Sequence, residues 1–364
     1  MKVAIMGAGL SGLSCAIMLE RHGIKPTIFE HRTQVGDRFI NAEAFLSLLT
    51  RPVNDAFHYF SEEFQLFLKP TSSINQLIIN SENEKAIIDE HVGFVNIRGR
   101  HQLSLENQLA EQLESVIHFN SIHSYEELLQ EYSHVIMATG DSAYPMKLQN
   151  FREDLSVTLK GATVEGEFDR FKVFVWLDNT LAPQGYAYLL PFSDTEANIV
   201  IGYPDLPEEH EEMITDYWDR FYTTACRELA QPLKITDQFQ IKNYKIGICK
   251  SARIGNTFFI GNCFGSTMPF LGYGQFESIL TGVYAAYDLC GFGSYEEYTN
   301  TFRRSYDHSL TLRRGMEKIN NSTFDFTVKH LDGYIGQKLF KQNHKNPLKT
   351  ISYLVRPFLG VKRG

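Results

Sequence analysis

The chain has 364 residues, 43% of them hydrophobic and 21% charged, with a formal net charge of −8. That length holds two domains and a sizeable core, and the composition excludes a disordered or fibrous chain. No apolar run of about 18 residues occurs, which excludes a spanning helix. The five cysteines (Cys15, Cys226, Cys249, Cys263, Cys290) are scattered without C-x-x-C, which argues against a zinc site or disulfide framework and for reduced thiols in a cytoplasmic protein.

Residues 2–6 predict a buried strand running into Gly7-Ala8-Gly9-Leu10-Ser11-Gly12, which matches G-x-G-x-x-G. In a dinucleotide-binding turn the first glycine permits the tight turn, the second lets backbone approach a pyrophosphate, and the third packs helix against strand. The helix predicted over 13–21 then aims its N-terminal N–H groups and positive dipole end at the phosphates. A second strand over 26–29 closes on Glu30, eighteen residues past Gly12, where a carboxylate can accept hydrogen bonds from ribose hydroxyls. The alternative, a glycine-rich turn in an unrelated α/β protein, does not account for strand, turn, helix, strand and acid in register.

Residues 77–79, 86–88 and 93–97 alternate as strands, and 98–113 predicts an amphipathic helix with Leu105, Leu109 and Leu113 at helical spacing. A strand at 116–119 and a polar helix lead to a buried strand from 134 that ends in Thr139-Gly140-Asp141. Ligands of an open parallel sheet sit beyond the carboxyl ends of its strands, so Thr139 and Gly140 belong beside the same nucleotide as Gly7. From 155 to 203, runs rich in aromatic and β-branched residues (172–177, 185–191, 197–202) predict sheet with one covered face. An acidic helical stretch over 208–229 follows, and 258–282 returns to strand, glycine-rich loop and helix.

Charge is uneven: from Arg303 to Gly364 thirteen Lys or Arg meet four acids, about +9. Residues 347–364 interleave apolar side chains with cations. This predicts either a surface that rests on anionic lipid or a terminal helical layer packed on an acidic body. No nucleic-acid-binding motif accompanies the charge.

At Gly261-Asn262, Pro269 and Gly272-Tyr273-Gly274 the chain resembles the flavoprotein group that includes geranylgeranyl reductases and monooxygenases of the para-hydroxybenzoate hydroxylase type. The resemblance implies an α/β fold in three parts. A Rossmann-like FAD-binding domain of the para-hydroxybenzoate hydroxylase type takes 1–65, 98–150 and 250–300. An interleaved β-sheet substrate domain takes 66–97 and 151–249, and a C-terminal basic helical region takes 301–364. It implies FAD, with residue 262 facing the ribityl chain and the helix start at Gly274 facing the pyrimidine end of the ring, where a helix N-terminus stabilises negative charge. The cofactor residues are then Gly7, Ala8, Gly9, Leu10, Ser11, Gly12, Glu30, His31, Arg32, Glu43, Arg100, Thr139, Gly140, Gly261, Asn262, Gly272, Tyr273 and Gly274. Arg100 resembles the family arginine that approaches the ribityl-pyrophosphate region. Residues 183–191 and 197–202 are similar to the reductase branch's Pro-Gly-Gly-Tyr-x-Trp-x-Phe-Pro stretch and its Ala-Asn-x-Gly-x-Gly partner strand, which places Tyr186, Tyr188 and Pro191 on the substrate side.

Departures limit the carry-over. Asn262 replaces the usual Asp, and Asn41-Ala42-Glu43 stands where the reductase branch has Cys-Gly/Ala-Glu. Hydroxylases carry an Asp-Gly motif for which this chain has no clear copy. Halogenases carry Trp-x-Trp-x-Ile-Pro, whereas Trp176 and Trp218 are the only tryptophans here. No Ser-His-Asp signature, metal-ligand cluster or phosphate-transfer loop occurs.

The reading is therefore an FAD-dependent reductase of carbon–carbon double bonds in a large apolar, isoprenoid-like substrate. The alternatives are an FAD monooxygenase acting on an aromatic or polyketide-like molecule, and a flavin-fold protein that binds nucleotide or lipid without turnover. Tyr186, Tyr188, Tyr273 and Cys263 are the candidate proton donors, by inferred proximity. Without a second G-x-G-x-x-G, the electron donor stays open between NAD(P)H and ferredoxin.

Overall fold

The computed structural model describes residues 1–207, 210–331, 333, 336, 339–341 and 346–355. A six-stranded sheet carries the opening turn, in the order Arg253–Ile254, Thr257–Phe259, His134–Met137, Val3–Met6, Thr27–Phe29, Ile117–His118. All pairings are parallel except the one that joins Arg253–Ile254 to its neighbour. Every residue of Val3–Met6 is buried, which is why this strand reads as an unbroken apolar run rather than an alternating one. Helices Leu10–Arg21 and Gln275–Leu289 pack so closely that a Cβ added at Gly282 would lie 2.2 Å from the Ser11 carbonyl oxygen.

A seven-stranded sheet forms a second layer, in the order Lys234–Cys249, Phe151–Glu165, Glu196–Pro204, Tyr186–Pro191, Lys172–Trp176, Gln76–Asn80, Lys85–Ile88. Helix Glu211–Glu228 covers it through Ile214, Trp218, Phe221 and Ala225, the one buried stripe of an otherwise charged helix. Three shorter strands, Asn41–Leu46, Gly93–Arg98 and Ser72–Ile74, form a third sheet. The chain enters and leaves the nucleotide sheet three times, so its strands come from residues 3–29, 117–137 and 253–259.

One sequence expectation is corrected. Residues 98–113 are not one helix: Arg98 ends a strand opposite Asn41, Gly99 turns the chain at φ +88°, and the helix spans only Leu105–Ala110. Ser104 starts it by accepting from the Asn107 N–H at 3.3 Å, a side-chain N-cap that outweighs the leucine spacing upstream. The runs expected between 155 and 203 do form strands, Lys172–Trp176, Tyr186–Pro191 and Glu196–Pro204, in a sheet that two long strands of 15 and 16 residues, Phe151–Glu165 and Lys234–Cys249, extend at one edge. Bulges at three points let the two stay paired over that length.

The basic region is helical where it is described. Tyr295–Met316 is followed by Asn321–Leu331 and Pro347–Val355. The last of these docks on the first, with the Ser352 hydroxyl 2.9 Å from His308 Nδ1. Asp325 accepts from Ser81 and Asn83, and Lys329 pairs with Glu84. Residues 356–364, with the cations Arg356, Lys362 and Arg363, lie outside the described residues.

Candidate functional site

At the opening turn the glycines play three different parts. A Cβ at Gly7 would lie 2.3 Å from the Ala138 carbonyl oxygen, and one at Gly12 would lie 2.0 Å from the Gly7 carbonyl oxygen. A Cβ at Gly9 meets nothing within 4 Å. The outer two are therefore demanded by backbone packing, whereas the middle one borders open space. Gly9 also caps helix Leu10–Arg21 with no side-chain hydrogen bond, so the helix presents its first N–H groups and positive end to that space.

Glu30, 9% exposed, accepts from the Ala8 N–H at 2.9 Å with one oxygen and from the Arg32 N–H at 3.0 Å with the other. His31 Nδ1 lies 3.1 Å from it. The acid thus ties the turn to the second strand while keeping lone pairs for a further donor.

Three distant segments converge here. Gly7 abuts Ala138, and a Cβ at Gly261 would lie 2.4 Å from Ser11 Oγ. Asn262 donates from Nδ2 to the Gly140 carbonyl at 3.3 Å and to the Tyr244 hydroxyl at 2.7 Å, and its Oδ1 accepts from Thr267 at 3.0 Å. Thr139 Oγ1 lies 3.0 Å from Cys263 Sγ. A buried thiol with its pKa pushed up by desolvation is a packing group, not a nucleophile.

At the other end, Gly274 starts helix Gln275–Leu289, again without a side-chain cap. Gln275 donates to Glu43 and accepts from Asn96 at 3.0 Å. Glu43 also accepts from Asn41 Nδ2 at 2.9 Å, and the Tyr188 hydroxyl donates to Asn41 Oδ1 at 3.3 Å. Tyr186 and Tyr188 alternate with buried residues on their strand, so both face the same side. Burial, with the Glu43 carboxylate nearby, raises both phenols well above the usual tyrosine range, and burial does the same for Tyr273. Pro191 is buried where its strand ends, opposite Ala197.

Arg100 heads no helix; it lies in the turn after Gly99 and pairs with Asp237 at 2.6 Å. The arginines gathered beside Glu43 are two that the sequence reading passed over. Arg98 donates to Glu106 at 2.7 Å and lies 3.7 Å from Glu43. Arg38 has a buried Nε with no hydrogen-bond partner, and burial and the Arg98 charge lower its pKa. Asn96, Gln275 and Tyr244 were also passed over, as was Glu277, 5% exposed in the first turn of the second uncapped helix. Burial pushes its carboxyl up to about 8.

These features fit FAD. Open backbone at Gly9 and Gly140 with an uncapped helix start suits the pyrophosphate, Glu30 the ribose, and the open Gly272 with the second uncapped helix start the ring. Among the described residues no group of His, Cys, Asp and Glu is placed to hold a metal ion, and no helix is long and apolar enough to cross a membrane.

Comparison with known proteins agrees. Residues 1–167 match the pyridine nucleotide-disulphide oxidoreductase family. A geranylgeranyl bacteriochlorophyll reductase-like protein of Thermoplasma acidophilum superposes with a TM-score of 0.74 at 15% identity, covering 98% of this chain and 97% of that one. A flavin-dependent brominase gives 0.66 at 11% identity over 98% of each chain. A flavin-dependent monooxygenase solved with FAD and substrate gives 0.56 at 12%, over 98% of this chain and 72% of that one. Residues 1–167 are thus similar to the pyridine nucleotide-disulphide oxidoreductase family, and the chain shares its fold with these flavoprotein structures.

Proposed function

We propose that this chain is an FAD-dependent reductase that saturates carbon–carbon double bonds in a large apolar, isoprenoid-like substrate. The observation that carries the reading is the end-to-end correspondence with the reductase-like structure, at a TM-score of 0.74 and nearly full coverage of both chains. The absence of the halogenase tryptophan motif supports it.

In this reading Gly7–Gly12, Glu30, Thr139, Gly140 and Asn262 hold the cofactor's nucleotide half, and Gly272–Gly274 back its ring. FAD when bound supplies the two-electron redox chemistry, leaving the protein to bind, orient and deliver protons. Tyr188 keeps its proton at neutral pH, and its bond to Asn41 is long at 3.3 Å, so it is the hydroxyl free to turn toward a substrate. NAD(P)H or ferredoxin is the electron donor.

A second reading, a monooxygenase acting on an aromatic or polyketide-like molecule, is favoured by the polar line Tyr188, Asn41, Glu43, Gln275 on the same wall. Purified protein absorbing near 450 nm is expected under both readings, and a colourless protein that FAD cannot reconstitute refutes both. Reduction by dithionite or ferredoxin to a form stable in air is the result expected of the reductase. NADPH consumption with hydrogen peroxide release under air would point to the monooxygenase instead.

We further propose peripheral contact with anionic membranes through the basic C-terminal helices. Phe326 and Tyr353 are 64% and 53% exposed there, and Lys349 is exposed beside Tyr353. Each cation near an anionic surface contributes roughly 1 kcal/mol. The protein should co-sediment with phosphatidylglycerol vesicles at low salt and not with phosphatidylcholine vesicles; equal sedimentation with both would refute this.

A further inference from the structure

The loop between Met268 and Gly274 closes on itself, with the Met268 N–H donating to the Tyr273 carbonyl at 2.7 Å and the Gly272 N–H to the Met268 carbonyl at 2.9 Å. Its tip is open: Gly272 is exposed and Leu271 half-buried. Besides the packing of Met268 and Tyr273, two hydrogen bonds grip the loop from outside, and a third joins their partners into a closed circuit.

The Phe270 N–H donates to Ser309 Oγ at 2.9 Å, fixing the loop to helix Tyr295–Met316. One turn further along that helix, on the same face, Arg313 donates to the Gln184 carbonyl. Two residues after Gln184, the Tyr186 hydroxyl donates back to the Leu271 carbonyl. Ser309 and Arg313 are 3% and 4% exposed, so these bonds are made away from competing water. Gln184 sits at φ +55°, a left-handed backbone held also by its N–H to Asn179 Oδ1 at 2.7 Å. The segment leading to Tyr186 is therefore fixed independently of any ligand.

We propose that Tyr186, Ser309 and Arg313 form a clamp that sets the position of the loop Leu271–Gly274, and that Tyr186 is a positioning residue rather than a proton donor. Its only hydroxyl hydrogen is committed to a main-chain carbonyl, whereas the hydroxyl of its strand neighbour two residues on, Tyr188, donates to Asn41 and not to the loop. The functional half of this inference rests on the flavin reading, since the clamped loop is the one that backs the ring; the structural half does not.

The test uses the full chain and the variants Tyr186→Phe, Ser309→Ala, their combination, and Tyr188→Phe. In flavin-free protein, amide hydrogen exchange across residues 268–274 should quicken about fivefold to tenfold in Tyr186→Phe and in Ser309→Ala, the loss of one hydrogen bond each. The double variant should fall short of the product, because either cut opens the same circuit. Tyr188→Phe should leave the exchange unchanged. In FAD titrations followed by flavin fluorescence, Tyr186→Phe should bind about tenfold more weakly with its thermal midpoint little changed. Unchanged exchange in Tyr186→Phe, or an equal rise in Tyr188→Phe, overturns the clamp. Wild-type protein that binds no FAD overturns the flavin reading, and the exchange measurement still decides the clamp.

Discussion

Replacing Gly9 with valine is expected to abolish FAD retention while leaving the fold intact. Gly9 adopts φ −88° and ψ −173°, extended backbone open to any L residue. A Cβ there meets nothing, so valine has room in the flavin-free protein. That room is where the pyrophosphate would approach the backbone, and a branched side chain fills it. A loss of at least a hundredfold in affinity, about 3 kcal/mol, is expected. Gly12→Val is the contrasting case: its Cβ would lie 2.0 Å from a carbonyl oxygen in the same turn, so the chain itself must move. Overpacking of this kind costs roughly 1–3 kcal/mol or more in stability, and that variant should melt early whether or not flavin is present. Thermal melts with flavin-fluorescence titrations separate the two. If Gly9→Val binds FAD as the wild type does, the assignment of the opening turn is wrong.

The contrast between these glycines also explains what could be read in the sequence. Gly7, Gly9 and Gly12 are legible because their spacing in a strand-turn-helix is a local pattern, and Thr139-Gly140 because parallel strands bring their carboxyl ends to one edge. Other parts of the site depend on pairings that no local pattern encodes. Glu43 meets Gln275 across 232 positions and Asn96 meets Gln275 across 179, with no periodicity at either end to announce them. Arg100 went astray for a different reason. Leucine spacing suggested a helix from residue 98, but a strand pairing at Arg98, a turn at Gly99 and the Ser104 cap move the helix seven residues on and carry Arg100 to Asp237. Tyr186 and Tyr188 were placed on the substrate side by their resemblance to the reductase branch's motif. That Tyr186 is bound to the Leu271 carbonyl follows only from how the sheet packs against the loop.

A second large effect is expected from Glu277→Gln, and it depends on pH. Glu277 lies in the first turn of a helix, where the dipole favours a carboxylate by at most about 2 kcal/mol. Desolvation outweighs this and a bond to its own backbone N–H, and the carboxyl is pushed up to about 8. One of its oxygens is buried without a hydrogen-bond partner. In the unfolded chain a glutamate titrates near 4.3, so the unfolded state releases its proton first as pH rises. The stability associated with neutral Glu277 is thus complete below about pH 4 and is lost progressively up to about pH 8, a decline of roughly 3 kcal/mol by pH 7. Glutamine carries no such proton, so Glu277→Gln should show a flatter profile, gaining on the wild type by several degrees in thermal midpoint between pH 5 and pH 8. Parallel profiles for the two proteins would mean that Glu277 is ionised in the fold and that its burial is compensated by a group not identified above. A buried acid with a strongly raised pKa is a mark of a functional site. Its position at the start of the helix that backs the proposed flavin ring makes the same variant informative in FAD titrations, where a change in the pH dependence of affinity would tie the neutral carboxyl to the cofactor.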